Sequence, residues 1–271
     1  MHIKVRCEST LQRDTMAVFR QFVACLAAVV LLNMPGGRCV EIIGGKEAKN
    51  HSWLFMALVK WENHQCGGAL IKEQWVLTAA HCMGKNMKVI LGTHSISKKN
   101  NKQKQISVSE AFPYKGFSQR TGEHDLMLLK LNKPVTTSPY ITVLALPTKE
   151  KDVQKNTRDS TPCKVAGWGI SNRDSNRISD NLMEVEIKVF NRKQCQKYYK
   201  KSKVAITSNT ICAWDNQGEK DTDKGDSGGP LICNGNFTGV VSSGTRGFPG
   251  VYTLLTSKYL KWIHKVTGGA A

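Results

Sequence analysis

Met183–Val189 reads MEVEIKV, with Val185, Ile187 and Val189 on one side of an extended chain and Glu184, Glu186 and Lys188 on the other. A period of two is what a half-buried β-strand requires, because successive side chains point to opposite faces of a sheet. Short apolar runs recur at Ala57–Trp61, Val89–Leu91, Leu126–Leu131 and Phe237–Ser242, separated by Asn, Gly, Ser and Lys clusters that read as loops. Helical spacing is clear at Ser257–Val266, where Tyr259, Trp262, Ile263 and Val266 share one face and Lys258, Lys261 and Lys265 another. Many short strands with polar connections make this an all-β chain, but strand composition does not choose between a barrel and a sandwich. A hydrophobic content of 40% over 271 residues is enough for a real core and excludes general disorder.

The first forty residues differ in kind. Phe22–Leu32 is an apolar run of eleven residues, preceded by Arg20 and followed by Gly36 and Gly37. That is the make-up of a secretory signal peptide, expected over residues 1–39 with its boundary and start (Met1 or Met16) left open; a buried helix or membrane anchor is the alternative. No later segment is long and apolar enough to be a transmembrane helix. Of nine cysteines, Cys7, Cys25 and Cys39 lie in this leader, leaving Cys66, Cys82, Cys163, Cys195, Cys212 and Cys233. An even set in an exported domain points to disulfides. No Cys-x-x-Cys or clustered Cys/His pattern argues for a metal, and no cofactor is expected.

Four segments carry chemistry. Thr78-Ala79-Ala80-His81-Cys82 sets a histidine beside a cysteine, and Asp125 precedes the apolar strand Leu126–Leu131. Gly225-Asp226-Ser227-Gly228-Gly229-Pro230 places a serine in a glycine-rich turn, and Ile42-Ile43-Gly44-Gly45 opens the domain. Singly, each has an ordinary structural reading. Together, in the order His, Asp, Ser, they resemble the chymotrypsin/trypsin-like serine proteases from Ile42 to Val266. Ile42–Lys46, Trp75–Cys82 and Tyr252–Thr256 look most like the granzymes, lymphocyte granule proteases, of the A and K types.

The resemblance implies two six-stranded antiparallel β-barrels with a C-terminal helix. It also implies a serine endopeptidase with His81, Asp125 and Ser227 as triad. A serine hydroxyl is a poor nucleophile at neutral pH and needs a base within reach. His81 would take the Ser227 proton while Asp125 holds the imidazole, and the N–H groups of Gly225 and Ser227 would meet the oxyanion. Asp226 would pair with the ammonium of Ile42 once the chain is cut before it, making the protein a zymogen. Val40-Glu41 then resembles the activation dipeptide of granule proteases, since a tryptic activator needs Lys or Arg at 41. The pairings implied are Cys66–Cys82, Cys163–Cys233 and Cys195–Cys212.

In the same way Asp221, six residues before Ser227, would form the base of the substrate pocket, with Ser242, Gly244 and Gly250 lining it. A carboxylate there favours Lys or Arg in the substrate. Three departures bear on this. Asp223 and the cysteine-free loop Gly244–Pro249 stand where tryptic relatives have a fourth disulfide. Arg246 lies in that loop, either exposed or folded onto Asp221 or Asp223. Ser243 replaces a usual aromatic residue.

The formal charge is +18; residues 1–41 hold five basic and three acidic side chains, so residues 42–271 keep 34 basic against 18 acidic, net +16. Clusters at Lys98–Lys104, Lys197–Lys203 and Lys258/Lys261/Lys265 fit a polyanion such as granule sulfated proteoglycan, or simply solubility. No stacking platform points to nucleic acid as a primary partner. Asn50-His-Ser52 and Asn236-Phe-Thr238 match the N-glycosylation sequon. Protein substrates and protease inhibitors are the other partners expected. The loop Phe112–His124 lacks the cysteine through which granzyme A-like proteins dimerise, so a monomer is expected, secreted and stored in granules. The rivals are a protease of altered specificity, a catalytically silent basic glycan-binding homologue, and a digestive or plasma enzyme, against which Glu41 argues.

Overall fold

The strand patterning is realised in thirteen strands and three helices among the residues described in this computed structural model. Those residues are 45–99, 101–148, 150–170, 177–215, 225–245 and 247–269, all within the unit Val40–Ala271. The leader, Val40-Glu41, Ile42, Asp221, Asp223 and Arg246 lie outside them.

The first barrel is built from β2 (Met56–Trp61), β3 (His64–Lys72), β4 (Trp75–Thr78), β5 (Lys88–Leu91), β6 (Lys104–Pro113) and β7 (Met127–Leu131). It closes in the order β2-β3-β4-β7-β6-β5, every neighbour antiparallel. The second uses β8 (Pro162–Gly167), β9 (Met183–Phe190), β10 (Thr210–Trp214), β11 (Pro230–Cys233), β12 (Asn236–Ser243) and β13 (Gly250–Leu254). It closes through the β8–β9 pairing, and β1 (Lys46–Glu47) adds to its β9 edge. Closure leaves neither sheet with long free edges. Barrel, not sandwich, is therefore the architecture, as the resemblance implied.

β9 shows how the pattern becomes packing. Val185, Ile187 and Val189 are buried, while Glu186 and Lys188 are exposed. Glu184, expected on the wet face, is only 9% exposed. β1 runs beside it, and it accepts a hydrogen bond from Trp53 Nε1 at 2.8 Å.

Helix α1 (Glu150–Lys155) precedes β8, and α2 (Arg192–Tyr199) follows β9, capped by Asn191, whose side chain accepts the Gln194 N–H. Helix α3 (Ser257–Val266) sits where the sequence predicts and buries Tyr259, Leu260 and Ile263 in the first barrel's core. Lys258, Lys261 and Lys265 are exposed. The described residues hold three disulfides, Cys66–Cys82, Cys163–Cys233 and Cys195–Cys212. Each contributes about 2–4 kcal/mol by restricting the unfolded chain.

Between the barrels lies a third apolar cluster, with Trp53, Met56 and Leu58 from one and Ala166, Trp168 and Leu182 from the other. Hydrogen bonds cross it from Leu182 N–H to His94 O (2.7 Å), Trp168 Nε1 to His94 O (3.0 Å) and Gly67 N–H to Ser227 O (2.7 Å).

Candidate active site

β4 and β7 are antiparallel with Thr78 opposite Met127. The chain leaving β4 and the chain entering β7 therefore meet at one end of the first barrel. His81 lies three residues past the first point, in the 3-10 turn Ala80–Cys82, and Asp125 two residues before the second. The Cys82–Cys66 bridge ties that turn to β3.

Asp125 is 1% exposed, and a buried carboxylate must be satisfied by hydrogen bonds. Its Oδ1 accepts the His81 backbone N–H at 2.9 Å. Its Oδ2 accepts from His81 Nδ1 and from Ser242 Oγ, each at 2.6 Å. Thr253 Oγ1 donates to its carbonyl at 3.3 Å. The aspartate is thus gripped by its own barrel and by β12 and β13 of the other. A carboxylate only accepts, so Nδ1 carries the proton and the Nε2 lone pair is left for a proton from outside.

The serine turn is locked from both barrels. Gly228 N–H donates to Val241 O at 2.8 Å and Gly229 N–H to Asp226 O at 3.0 Å. Gly225 (φ +104°) and Gly228 (φ +79°) take left-handed backbone, where a Cβ is strained. A Cβ at 228 would also lie 2.1 Å from Thr78 Oγ1 and 2.6 Å from Gly67 O, so the turn is pressed against the strand end that leads to His81. Thr78 Oγ1 in turn donates to Gly67 O at 2.7 Å. The N–H groups of Gly225 and Ser227 donate to no protein acceptor among the described residues. Nor does a hydrogen bond join Ser227 Oγ to His81 Nε2 there, a contact that commonly tightens only around substrate.

Asp226 is fully buried, with Oδ1 accepting the Gly169 N–H at 2.8 Å. Gly167 and Gly169 leave the room its carboxylate occupies. Of the expected pocket residues, Gly250 is buried at the start of β13 and Gly244 is exposed after β12. Ser242, expected to line the pocket, spends its hydroxyl on Asp125. The wall loop has an aromatic anchor that sequence reading missed. Phe248 packs edge-on against Tyr198 and Tyr199 of α2 at centroid distances of 5.6 and 5.5 Å, and Tyr199 OH donates to Pro249 O at 2.8 Å. One group among the described residues, Cys66, His81 and Cys82, brings metal-ligand atoms close together, but its two sulfurs are joined as a disulfide. The residues do not fit a metal.

The family model described as Trypsin matches residues 42–263. The chain belongs to the trypsin family of serine proteases. The protease is 44% identical to granzyme A of Bos taurus over 90% of this chain and 95% of that protein. It is 38% identical to duodenase-1 of Bos taurus over 88% of this chain and 94% of that protein. With cathepsin G of Homo sapiens the identity is 37%, over 88% and 92%. It is a hydrolase acting on protein substrates, and among the described residues no helix is long and apolar enough to cross a membrane.

Proposed function

We propose that this protease cleaves peptide bonds after Lys or Arg, using Ser227 as nucleophile, His81 as general base then acid, and Asp125 to hold the imidazole. The observation that carries the triad is the buried Asp125 carboxylate with His81 Nδ1 at 2.6 Å, which fixes the tautomer a general base needs. The undonated N–H groups of Gly225 and Ser227 are the oxyanion donors, a role in which one donor is worth about 3 kcal/mol. Asp221, in sequence six residues ahead of Ser227, supplies the negative base of the pocket, and Gly250 leaves its wall without a side chain.

Activation follows from burial. A carboxylate as enclosed as Asp226 is strongly stabilised by a cation, and the Ile42 ammonium freed by cutting after Glu41 is that cation in the active enzyme. The leader directs export, and the activation dipeptide Val40-Glu41 fits an enzyme stored in granules. There the exposed lysines, among them Lys98, Lys197, Lys200, Lys201, Lys203, Lys258, Lys261 and Lys265, hold sulfated proteoglycan. Asn50 and Asn236, both exposed, carry N-glycans, and the mature enzyme is a monomer controlled by protein inhibitors.

Protein expressed with Ile42 as a free N-terminus, profiled on a peptide library randomised at P1, tests this against Ser227→Ala. Serine-dependent cleavage after Lys and Arg is expected. Serine-dependent cleavage only elsewhere would keep the endopeptidase and refute the pocket. That second reading is favoured by a wall loop anchored through Phe248 where tryptic relatives use a disulfide. Silence of both the wild type and Arg246→Ala would shift the reading to a non-enzymatic homologue.

A further inference from the structure

Immediately before Asp125 stands a histidine that the triad does not use. His124 has φ +59°, and its carbonyl accepts the Leu126 N–H at 2.8 Å, so Asp125 is the middle of a three-residue turn. A non-glycine residue in left-handed backbone costs energy and persists only where its surroundings hold it. The holding contacts are visible. His124 Nδ1 lies 2.7 Å from Tyr259 OH, and Tyr259 is fully buried in α3. Tyr114 packs against Tyr259 (4.9 Å), Trp262 (5.1 Å) and His124 (5.5 Å), and its N–H donates to Leu126 O at 2.8 Å. Across the ring, the space at Gly116 is such that a Cβ would touch His124 Cδ2 at 3.4 Å. The catalytic turn is therefore clamped to the C-terminal helix from 135 residues away.

We propose that His124 and Tyr259 are a positioning pair for Asp125, their hydrogen bond fixing the turn that presents the carboxylate to His81. The inference rests on the triad reading above and adds to it the residues that set its geometry. Its chemistry gives a direction with pH. Burial raises the Tyr259 phenol far above the ordinary tyrosine range, so it remains an O–H donor. Burial, then the Lys258 cation, push His124 below its ordinary value, while Glu123 opposes them. The groups facing the imidazole are thus Lys258 and Tyr259 from α3, Tyr114 from the segment after β6, and Glu123 and Asp125 from its own turn. A neutral imidazole without a proton on Nδ1 accepts the phenol proton there. Once protonated, Nδ1 can only donate, so the phenol must turn to accept, and the clamp, now holding an imidazolium beside the Lys258 cation, is weakened.

Tyr259→Phe removes the hydroxyl alone. Kinetics normalised to sites titrated with a serine-directed phosphonate should show kcat reduced about tenfold, the scale of one lost hydrogen bond, with KM within about twofold. If Tyr259→Phe does not fold, His124→Phe removes the same bond from the half-buried side. His124→Asn keeps a bonding side chain that does not titrate, and should hold kcat within about threefold at neutral pH. In the wild type kcat should fall more steeply with acid below the ordinary histidine range than it does in His124→Asn, whose side chain does not titrate. Unchanged kcat per titrated site in Tyr259→Phe, or identical limbs in wild type and His124→Asn, would overturn the pair and leave the triad standing. No phosphonate label on the wild type would overturn the triad reading, and the pair with it.

Discussion

Gly169→Ala sets a methyl group where the Asp226 carboxylate lies. A Cβ at 169 would stand 2.4 Å from Oδ2, 2.5 Å from Cγ and 2.7 Å from Oδ1, and relaxed Cβ atoms essentially never come within 3.0 Å of such neighbours. Gly169 has no left-handed φ, so the backbone itself accepts alanine. The carboxylate cannot retreat sideways, because Oδ1 already fills the space above Gly167, 2.1 Å from where a Cβ there would sit. The Asp226 backbone has to shift, and the Gly169 N–H bond to Oδ1 is lost. A hydrogen bond to a charge is worth about 1.5–3 kcal/mol, and overpacking adds about 1–3 kcal/mol. At about 2–4 °C per kcal/mol for a domain of this size, the melting temperature should fall by about 10 °C. Because Asp226 adjoins Ser227, a displacement of about 1 Å should also lower kcat/KM by about 10²-fold. Scanning calorimetry and peptide hydrolysis read the two effects, with Gly235→Ala as control. Gly235 has φ +76° and nothing within 4 Å of its Cβ position, so that variant should lose about 1 kcal/mol and no activity. Wild-type turnover in Gly169→Ala, with a melting shift no larger than the control's, would refute the claim that the seat of Asp226 braces the serine turn.

Ser242→Ala deletes one of the two hydrogen bonds at Asp125 Oδ2, and should cost about 1.5–3 kcal/mol in urea unfolding and lower kcat more than it raises KM. Phe248→Ala removes both edge contacts to α2, worth about 0.5–1.5 kcal/mol each, and should raise KM for short peptides several-fold while kcat per titrated site holds. For Asp180→Asn the effect depends on pH. Burial alone would raise Asp180, but hydrogen bonds from Ser95 Oγ, Ser97 N–H and Ser97 Oγ outweigh it, and the folded pKa is lowered. A lowered carboxylate stabilises the fold above the ordinary value and stops doing so as pH falls through its depressed one. The difference in urea midpoint between wild type and variant should therefore be largest near neutrality and close below about pH 4.

What the sequence showed, and what it hid, follows from where each signal is stored. Alternation in Met183–Val189 and the helical face of Ser257–Val266 are local, and both elements stand where expected. β3 is buried at six consecutive positions, Cys66–Ile71, and so presents no alternation to read. α2 is short and rich in Lys and Gln, with only Cys195 and Tyr199 buried, leaving too faint a stripe to notice. Closure into barrels rests on the β2–β5 and β8–β9 registers, which no short window contains. The site divides likewise. His81, Asp125 and Ser227 announce themselves by their neighbours in the chain. Ser242 reaches Asp125 from 117 residues away, and Tyr259 reaches His124 from 135, so neither partnership leaves a local mark.

The seating of α3 has a consequence for synthesis. The core of the first barrel takes Phe237 and Val240 from β12, then Leu255, Tyr259, Leu260 and Ile263, all translated well after that barrel's own last strand, β7. That barrel holds His81 and Asp125, yet its packing stays unfinished until residue 263 has cleared the ribosome. A nascent or prematurely terminated chain carrying His81, Asp125 and Ser227 but ending before Ser257 lacks the helix whose Tyr259 contacts the turn before Asp125. Such a chain would be a poor protease inside the cell that makes it.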